Sequence, residues 1–384
     1  MVYVNLETNL TIASYFNDNI APERLLRYLE ASTGERIIAG ETLIFFDEIQ
    51  SCERALTSLK YFCEETPEFH IAAAGSLLGV AINRQHYSFP VGKVETITMY
   101  PLDFEEYLWA RGKEFLASEI RSAFETMTAL PDALHAEATE LYREYLLIGG
   151  MPASINAFLR SGSFLDVSLV QNEILDNYIA DMAKYASNAD SVKIRACYNS
   201  IPAQLAKDNR KFQYKVVQKG GSASLFGASI EWLYLAGVVL KCQRISQAFE
   251  PISVYADLSA FKLYMGDVGL LTAKSGLSQQ TVLSGEGNTF MGAVTENYVA
   301  QQLAANGHDL YYWESNNTAE LDFVLQSGNQ VMAIEVKKGE HVRSRSLNLF
   351  IGTYHPSCAI RLSLKNFGEK DGLKSVPLYA AFCI

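Results

Sequence analysis

Leu43-Ile44-Phe45-Phe46-Asp47-Glu48 sets four large apolar residues directly ahead of two carboxylates. A run this short and this apolar predicts a strand buried on both faces of a parallel sheet. Its acids then emerge at the carboxyl end, where open α/β sheets receive ligands. A strand that simply ends in a solvated acidic turn fits the same six residues. Ile71-Ala72-Ala73-Ala74-Gly75-Ser76 repeats the pattern with small residues and ends at a polar one. Residues 2–6 give a third apolar run, and segments with helical spacing (22–30 and 54–64) lie between the three. The first hundred residues therefore read as α/β.

Farther along, residues 102–186 carry helical spacing, broken at Pro131 and at Gly149-Gly150-Met151-Pro152. Pro101-Leu102-Asp103-Phe104-Glu105-Glu106-Tyr107 predicts a helix start, with Asp103 as its cap and acids in the first turn. Residues 191–275 read as two helices and then two strands, 238–245 and 261–265. Gly285 and Gly287 mark a hinge before a helix over 290–306. Strands are expected at 310–313, 321–325, 331–337, 359–364 and 377–382. The 384 residues suffice for two or three domains. With 32 basic and 43 acidic side chains the net charge is −11, which excludes a polybasic protein but leaves room for a local basic patch. The longest clean apolar run, 232–240, stops at Lys241 and is too short to span a bilayer. No apolar leader precedes Arg24, and the six cysteines are scattered without a CxxC pair, against a zinc site or a disulfide framework. A cytoplasmic protein without a membrane partner is expected.

In P-loop ATPases an aspartate at the place of Asp47 helps to hold Mg²⁺, and the following glutamate polarises the attacking water. The chain resembles the prokaryotic AAA-type ATPases with a C-terminal domain of unknown function that has a restriction-endonuclease-like core. The resemblance rests on Phe45-Phe46-Asp47-Glu48-Ile49-Gln50, Ala74-Gly75-Ser76-Leu77-Leu78, Ser88-Phe89-Pro90-Val91-Gly92-Lys93 and the Pro101–Tyr107 stretch. It continues in order through Ile148-Gly149-Gly150-Met151-Pro152, then Phe261-Lys262-Leu263-Tyr264-Met265-Gly266-Asp267-Val268-Gly269-Leu270, and Thr295-Glu296-Asn297. It implies ATP and Mg²⁺ as cofactors, bound at Asp47 and Glu48, with Ser76 sensing the γ-phosphate. It also implies a homo-oligomer in which a basic residue near Lys93 reaches a neighbour's nucleotide; arginine is the usual choice there.

A phosphate-cradling loop reads GxxxxGK[ST], and the sequence contains no such string. Gly92-Lys93 is followed by Val94 and lies after the acidic strand. In similar proteins the loop comes first and a strand like Tyr3-Val4-Asn5-Leu6-Glu7 follows it. The expectation is that the first strand, the loop and the first helix have been lost, which leaves unpaired edges and weak ATP binding or none.

Between 207 and 219, five basic residues face one acid. With the flanking helices and strands this resembles a winged helix, in which Lys211, Lys215 and Lys219 meet DNA phosphates; a solvated loop or a wing that packs domains together fits equally. Glu320-Leu321-Asp322 and Ile334-Glu335-Val336-Lys337 flank Ser327-Gly328-Asn329 and read as a hairpin. Alternation puts Glu335 and Lys337 on one face, within reach of Asp322. Two carboxylates and a lysine in this pattern resemble the PD-(D/E)XK nuclease core, with Asp322, Glu335 and Glu296 around Mg²⁺ and Lys337 activating a water. A salt-bridge ladder across a hairpin is the plain alternative. Trp313 is assigned to base stacking or to core packing, and the histidines show no ligand spacing.

The expected fold is α/β: an incomplete P-loop ATPase sheet (1–110), a helical lid (111–190), a winged helix (191–280) and a PD-(D/E)XK nuclease-like domain (285–384). The leading function is an AAA-type ATPase coupled to a nuclease-like, nucleic-acid-associated domain. The alternatives are an Mg²⁺-dependent nuclease with a vestigial ATPase part, and a non-enzymatic DNA-binding or regulatory protein.

Overall fold

The apolar run ahead of the acids is a strand, β2 (Leu43–Asp47), with Ile44 and Phe46 fully buried. The computed structural model describes residues 1–75, 90–208, 210–285, 288–315, 319–339 and 345–384. The chain divides into two compact units, Met1–Met99 and Tyr100–Ile384.

In the first unit β2 lies between β1 (Val2–Asn5) and β3 (His70–Ala73), and all three strands run parallel. Parallel neighbours need crossovers. These are supplied by α1 (Leu10–Ser14) with α2 (Pro22–Thr33), and by α3 (Glu53–Glu65). Proline at its first turn opens α2, and Gly34 in the left-handed region closes it. Leu25, Leu29, Leu56 and Phe62 pack with Val2, Val4, Ile44 and Phe46 into one core. The row aligned as Tyr3, Phe45 and Ala72 points the other way by strand alternation. There Tyr3 is 53% exposed and stacks on the half-buried Phe45. The expectation of a strand buried on both faces is therefore corrected: among the described residues the helices cover one face, and Leu43 (exposed) and Phe45 (half-buried) lie on the other. Among the described residues β3 pairs with β2 alone.

The second unit opens with helices α4 (Phe104–Ala110), α5 (Glu114–Thr126), α6 (Asp132–Ile148), α7 (Pro152–Ser161), α8 (Phe164–Tyr185) and α9 (Asn188–Leu205). Asp103 caps α4 in a full capping box with Glu106, as its sequence predicts. By compactness this helix groups with the second unit. After α10 (Tyr214–Val217) and α11 (Ala223–Leu235) come β4 (Val239–Ile245), β5 (Ala256–Met265), α12 (Val268–Ser275), α13 (Gln279–Ser284) and α14 (Met291–Ala305). The remaining elements are β6 (Tyr311–Ser315), β7 (Ala319–Ser327), β8 (Gln330–Val336), α15 (Arg345–Tyr354), β9 (Cys358–Ser363), β10 (Gly368–Lys370) and β11 (Leu373–Pro377). Eight strands form one sheet in the order β10-β11-β9-β8-β7-β6-β4-β5.

The two strands read as a wing are the far end of this sheet. β4 pairs antiparallel with β5 and parallel with β6. Val239, Cys242 and Ile245 are buried, Cys242 and Ile245 on opposite faces by alternation, as in a strand inside a sheet covered on both sides. The strands of 191–280 thus share one sheet with those of 285–384. Helix α14 is buried nearly all round, the mark of a central helix. No helix among the described residues is long and apolar enough to cross a membrane.

Candidate functional site

The acids Asp47 and Glu48 leave the carboxyl end of the middle strand of the first sheet, both half-buried. Asp47 Oδ2 accepts hydrogen bonds from the Tyr3 hydroxyl (2.5 Å) and Asn5 Nδ2 (3.3 Å), and Oδ1 accepts one from the Glu48 amide (3.0 Å). The bond to Asp47 holds the Tyr3 hydroxyl above its ordinary pKa. Glu48 sits in the left-handed region at φ 52°, ψ 42°, a conformation rare for a residue with a side chain. That turn sends the Ile49 amide to the Ala74 carbonyl at 3.0 Å, so the ends of β2 and β3 are tied together. Gln50 donates to the Glu48 carboxylate. A carboxylate oriented by three donors beside a second carboxylate is chemically able to hold a cation and to polarise water. Ser76 lies outside the described residues. Lys93 pairs with Glu64 of its own unit at 3.0 Å, and that carboxylate raises the lysine pKa.

In the second unit, Asp322 of β7 accepts a hydrogen bond from the Val336 amide at 2.7 Å. Glu335 of β8 is buried, with Lys337 Nζ 3.1 Å from its Oε1 and Arg361 Nε 3.8 Å from its Oε2. The hairpin is as expected: Asp322 lies on β7, Glu335 on the neighbouring β8, and Lys337 directly after β8. Glu296 is engaged elsewhere, with Lys262, Tyr264 and Arg210. Among the described residues no group of three or more His, Cys, Asp or Glu side chains is placed to hold a metal ion. Lys211 pairs with Glu314, whereas Lys215 and Lys219 are exposed. Trp313 packs edge-on against Phe350 and donates Nε1 to the Tyr354 hydroxyl at 3.2 Å, a core role.

Sequence reasoning missed a buried polar hub on α14. Asn297 brackets Met265, accepting from its amide at 2.8 Å and donating to its carbonyl at 3.0 Å. Gln301 accepts from the Val268 amide (2.9 Å) and donates to the Tyr145 hydroxyl (2.9 Å). Gln302 accepts from the Phe104 amide at 2.9 Å. Asp267 caps α12 through the Leu270 amide (2.9 Å) and accepts from the Gly150 amide at 2.6 Å. A Cβ on Gly150 would lie 2.0 Å from the Leu102 carbonyl oxygen, so only glycine allows this approach. The motifs at 101–107, 148–152, 261–270 and 295–297 thus converge on one node. The signal was present in Thr295-Glu296-Asn297 and Gln301-Gln302: polar side chains on a helix with apolar residues all round need buried partners.

Burial raises the Asp267 carboxyl to about 6 from its ordinary 3.8. A carboxyl raised in the folded state contributes stability that is complete below the unfolded value and is lost as pH rises through the folded one. Its contribution is expected to fall by about 2 kcal/mol between pH 4 and pH 6, out of about 3 kcal/mol in all at about 1.4 kcal/mol per pH unit. Denaturation curves of Asp267→Asn across that interval should lack this slope.

Residues 1–108 match the AAA domain family. Residues 139–281 and 291–381 match two domains of unknown function, DUF8612 and DUF4143. The uncharacterized proteins Mb2031c of Mycobacterium bovis and Rv2008c of Mycobacterium tuberculosis are each 35% identical over 79 residues. Those residues are 20% of this chain and 18% of the length of these curated relatives. Among solved structures, the Walker-type ATPase paby2304 of Pyrococcus abyssi aligns at 13% identity and a TM-score of 0.42, covering 71% of this chain and 83% of its own. Protein VC1899 of Vibrio cholerae aligns at 11% identity and a TM-score of 0.19, covering 98% and 79%. The AAA match covers only residues 1–108, the segment that holds the strand ending in Asp47 and Glu48.

Proposed function

We propose that the first unit carries the acidic half of an ATP site, with Asp47 as the Mg²⁺ ligand and Glu48 as the residue that polarises the attacking water. The observation that carries this is the pair of adjacent carboxylates at the carboxyl end of a parallel strand, inside a match to the AAA domain. Bound Mg²⁺ would neutralise charge on the phosphates. The protein's own part is to hold Asp47 through Tyr3, Asn5 and the Glu48 amide. Ser76 is proposed as the γ-phosphate sensor, and Lys93 as the residue offered to a second copy in a homo-oligomer once it leaves Glu64. The loop that cradles phosphates is absent from the sequence. Calorimetric titration of the chain with Mg·ATP should accordingly show no saturable binding below millimolar concentration. Low-micromolar affinity would overturn that expectation.

A second reading is favoured by one observation, the placement of Asp322 and Glu335 on neighbouring strands with Lys337 at the end of the second. It makes the second unit a PD-(D/E)XK-like domain acting on nucleic acid, with Lys215 and Lys219 as exposed phosphate contacts in the region compared to a winged helix. Glu335 is already compensated by Lys337 and Arg361, so Mg²⁺ would have to displace at least one of them. Under this reading DNA cleavage requires Mg²⁺ and is abolished in Lys337→Ala; cleavage that survives the substitution sinks it. DNA affinity alone should fall steeply with salt.

A further inference from the structure

In the second unit a cavity of about 530 Å³ opens where the end of α4, one face of α6, the first residue of α8 and α13 meet. Sites for small molecules are of this size. Most of its charged lining is paired off. Lys113 Nζ lies 2.7 Å from Glu137 Oε1. Arg111 pairs with Glu144 and donates Nη1 to the Tyr107 hydroxyl at 2.8 Å, and that hydroxyl donates in turn to Glu144. The Arg111 guanidinium also lies 5.2 Å from the centroid of the Phe158 ring, which holds it in place. These two pairs leave no net charge for a ligand to meet.

Arg143 is the exception. It is half-buried on α6, and among the described residues it forms no ion pair; its Nη1 donates only to the Leu283 carbonyl, at 3.4 Å. A Cβ on Gly285 would lie 3.1 Å from Nη2, so the guanidinium rests against the end of α13. Its donors form a rigid fork that matches a carboxylate, and charged groups are seldom withdrawn from water unpaired. Glu140, the remaining acid of the lining, is exposed to solvent. Leu141, Phe164 and Leu283 give the cavity an apolar wall. One uncompensated cation beside such a wall suits a singly charged ligand; a phosphate dianion would be repelled by the neighbouring acids. We infer that the cavity is a binding site for a small organic carboxylate, with its carboxylate on Arg143 and an apolar body on Leu141, Phe164 and Leu283. The site lies wholly in the second unit and depends on neither the ATP nor the nuclease reading.

The test titrates the full chain with phenylbutyrate, phenylbutanol and inorganic phosphate, read by calorimetry. Phenylbutyrate is expected to saturate in the millimolar range, as suits a ligand of so few atoms. Phenylbutanol has the same body without the charge, and phosphate has charge without the body. Each should bind about tenfold more weakly than phenylbutyrate, or not at all. Arg143→Gln should weaken phenylbutyrate by about tenfold or more, whereas Glu140→Gln should leave its affinity equal or higher. Arg143→Lys, which keeps the charge and loses the fork, carries the same comparison if the glutamine variant does not fold. The proposal is overturned by a failure of phenylbutyrate to saturate, by unchanged affinity in the Arg143 variant, or by phosphate binding as tightly as phenylbutyrate.

Discussion

Lys262→Met is expected to destabilise the second unit by about 3–5 kcal/mol, because it strips two carboxylates of the cation they share. Glu296 is buried on α14 and, among the described residues, keeps Arg210 and the Tyr264 hydroxyl. Glu320 loses the partner held 2.6 Å from it. Methionine fills the space of the lysine stem, so the loss is one of charge compensation and not of packing. Lys337→Met provides the contrast: that side chain is about a third exposed, and its pairing with Glu335 is worth only about 0–1 kcal/mol. Chemical denaturation of both variants measures the difference. Adding Glu296→Gln to Lys262→Met should restore part of the loss, since residues in one ion-pair network couple.

How much of this was legible depended on distance along the chain. Strands β1 to β3 and helices α2 and α3 follow from local apolar spacing, and the Asp103 cap from a four-residue pattern. The hairpin bearing Asp322, Glu335 and Lys337 is equally local, with its turn at Ser327-Gly328-Asn329. The placement of β4 was not legible, because its partner β6 lies across two helices and the whole of α14. Lys211 looked like a free phosphate contact because its partner, Glu314, is 103 positions away. Glu296 looked like a metal ligand for the same reason: Lys262, its cation, sits in a motif read only as a family mark. Side-chain pairs of this kind leave no periodic trace in a sequence. The half-open face of the first sheet was hidden because Leu43 and Phe45 are as apolar as their buried neighbours.

The second large effect concerns Glu48. If Asp47 and Glu48 act on nucleotide, Glu48→Gln removes the group that polarises water and leaves the turn geometry and the Gln50 contact in place. Loss of a positioned general base costs about 10²–10⁴-fold in rate. In a protein joined to a phosphate-cradling loop, Asp47→Ala should instead remove the Mg²⁺ dependence of nucleotide binding, because Tyr3 and Asn5 then orient no carboxylate.

The central claim is that these two acids form a working ATP site only together with a phosphate-cradling loop. The direct measurement joins a strand–GxxxxGK[ST]–helix segment ahead of Met1 and follows Mg²⁺-dependent ATP turnover. The account predicts no turnover by the chain alone, turnover by the joined protein, and a fall of about 10²–10⁴-fold on Glu48→Gln. Turnover by the joined protein at an unchanged rate in Glu48→Gln would contradict it.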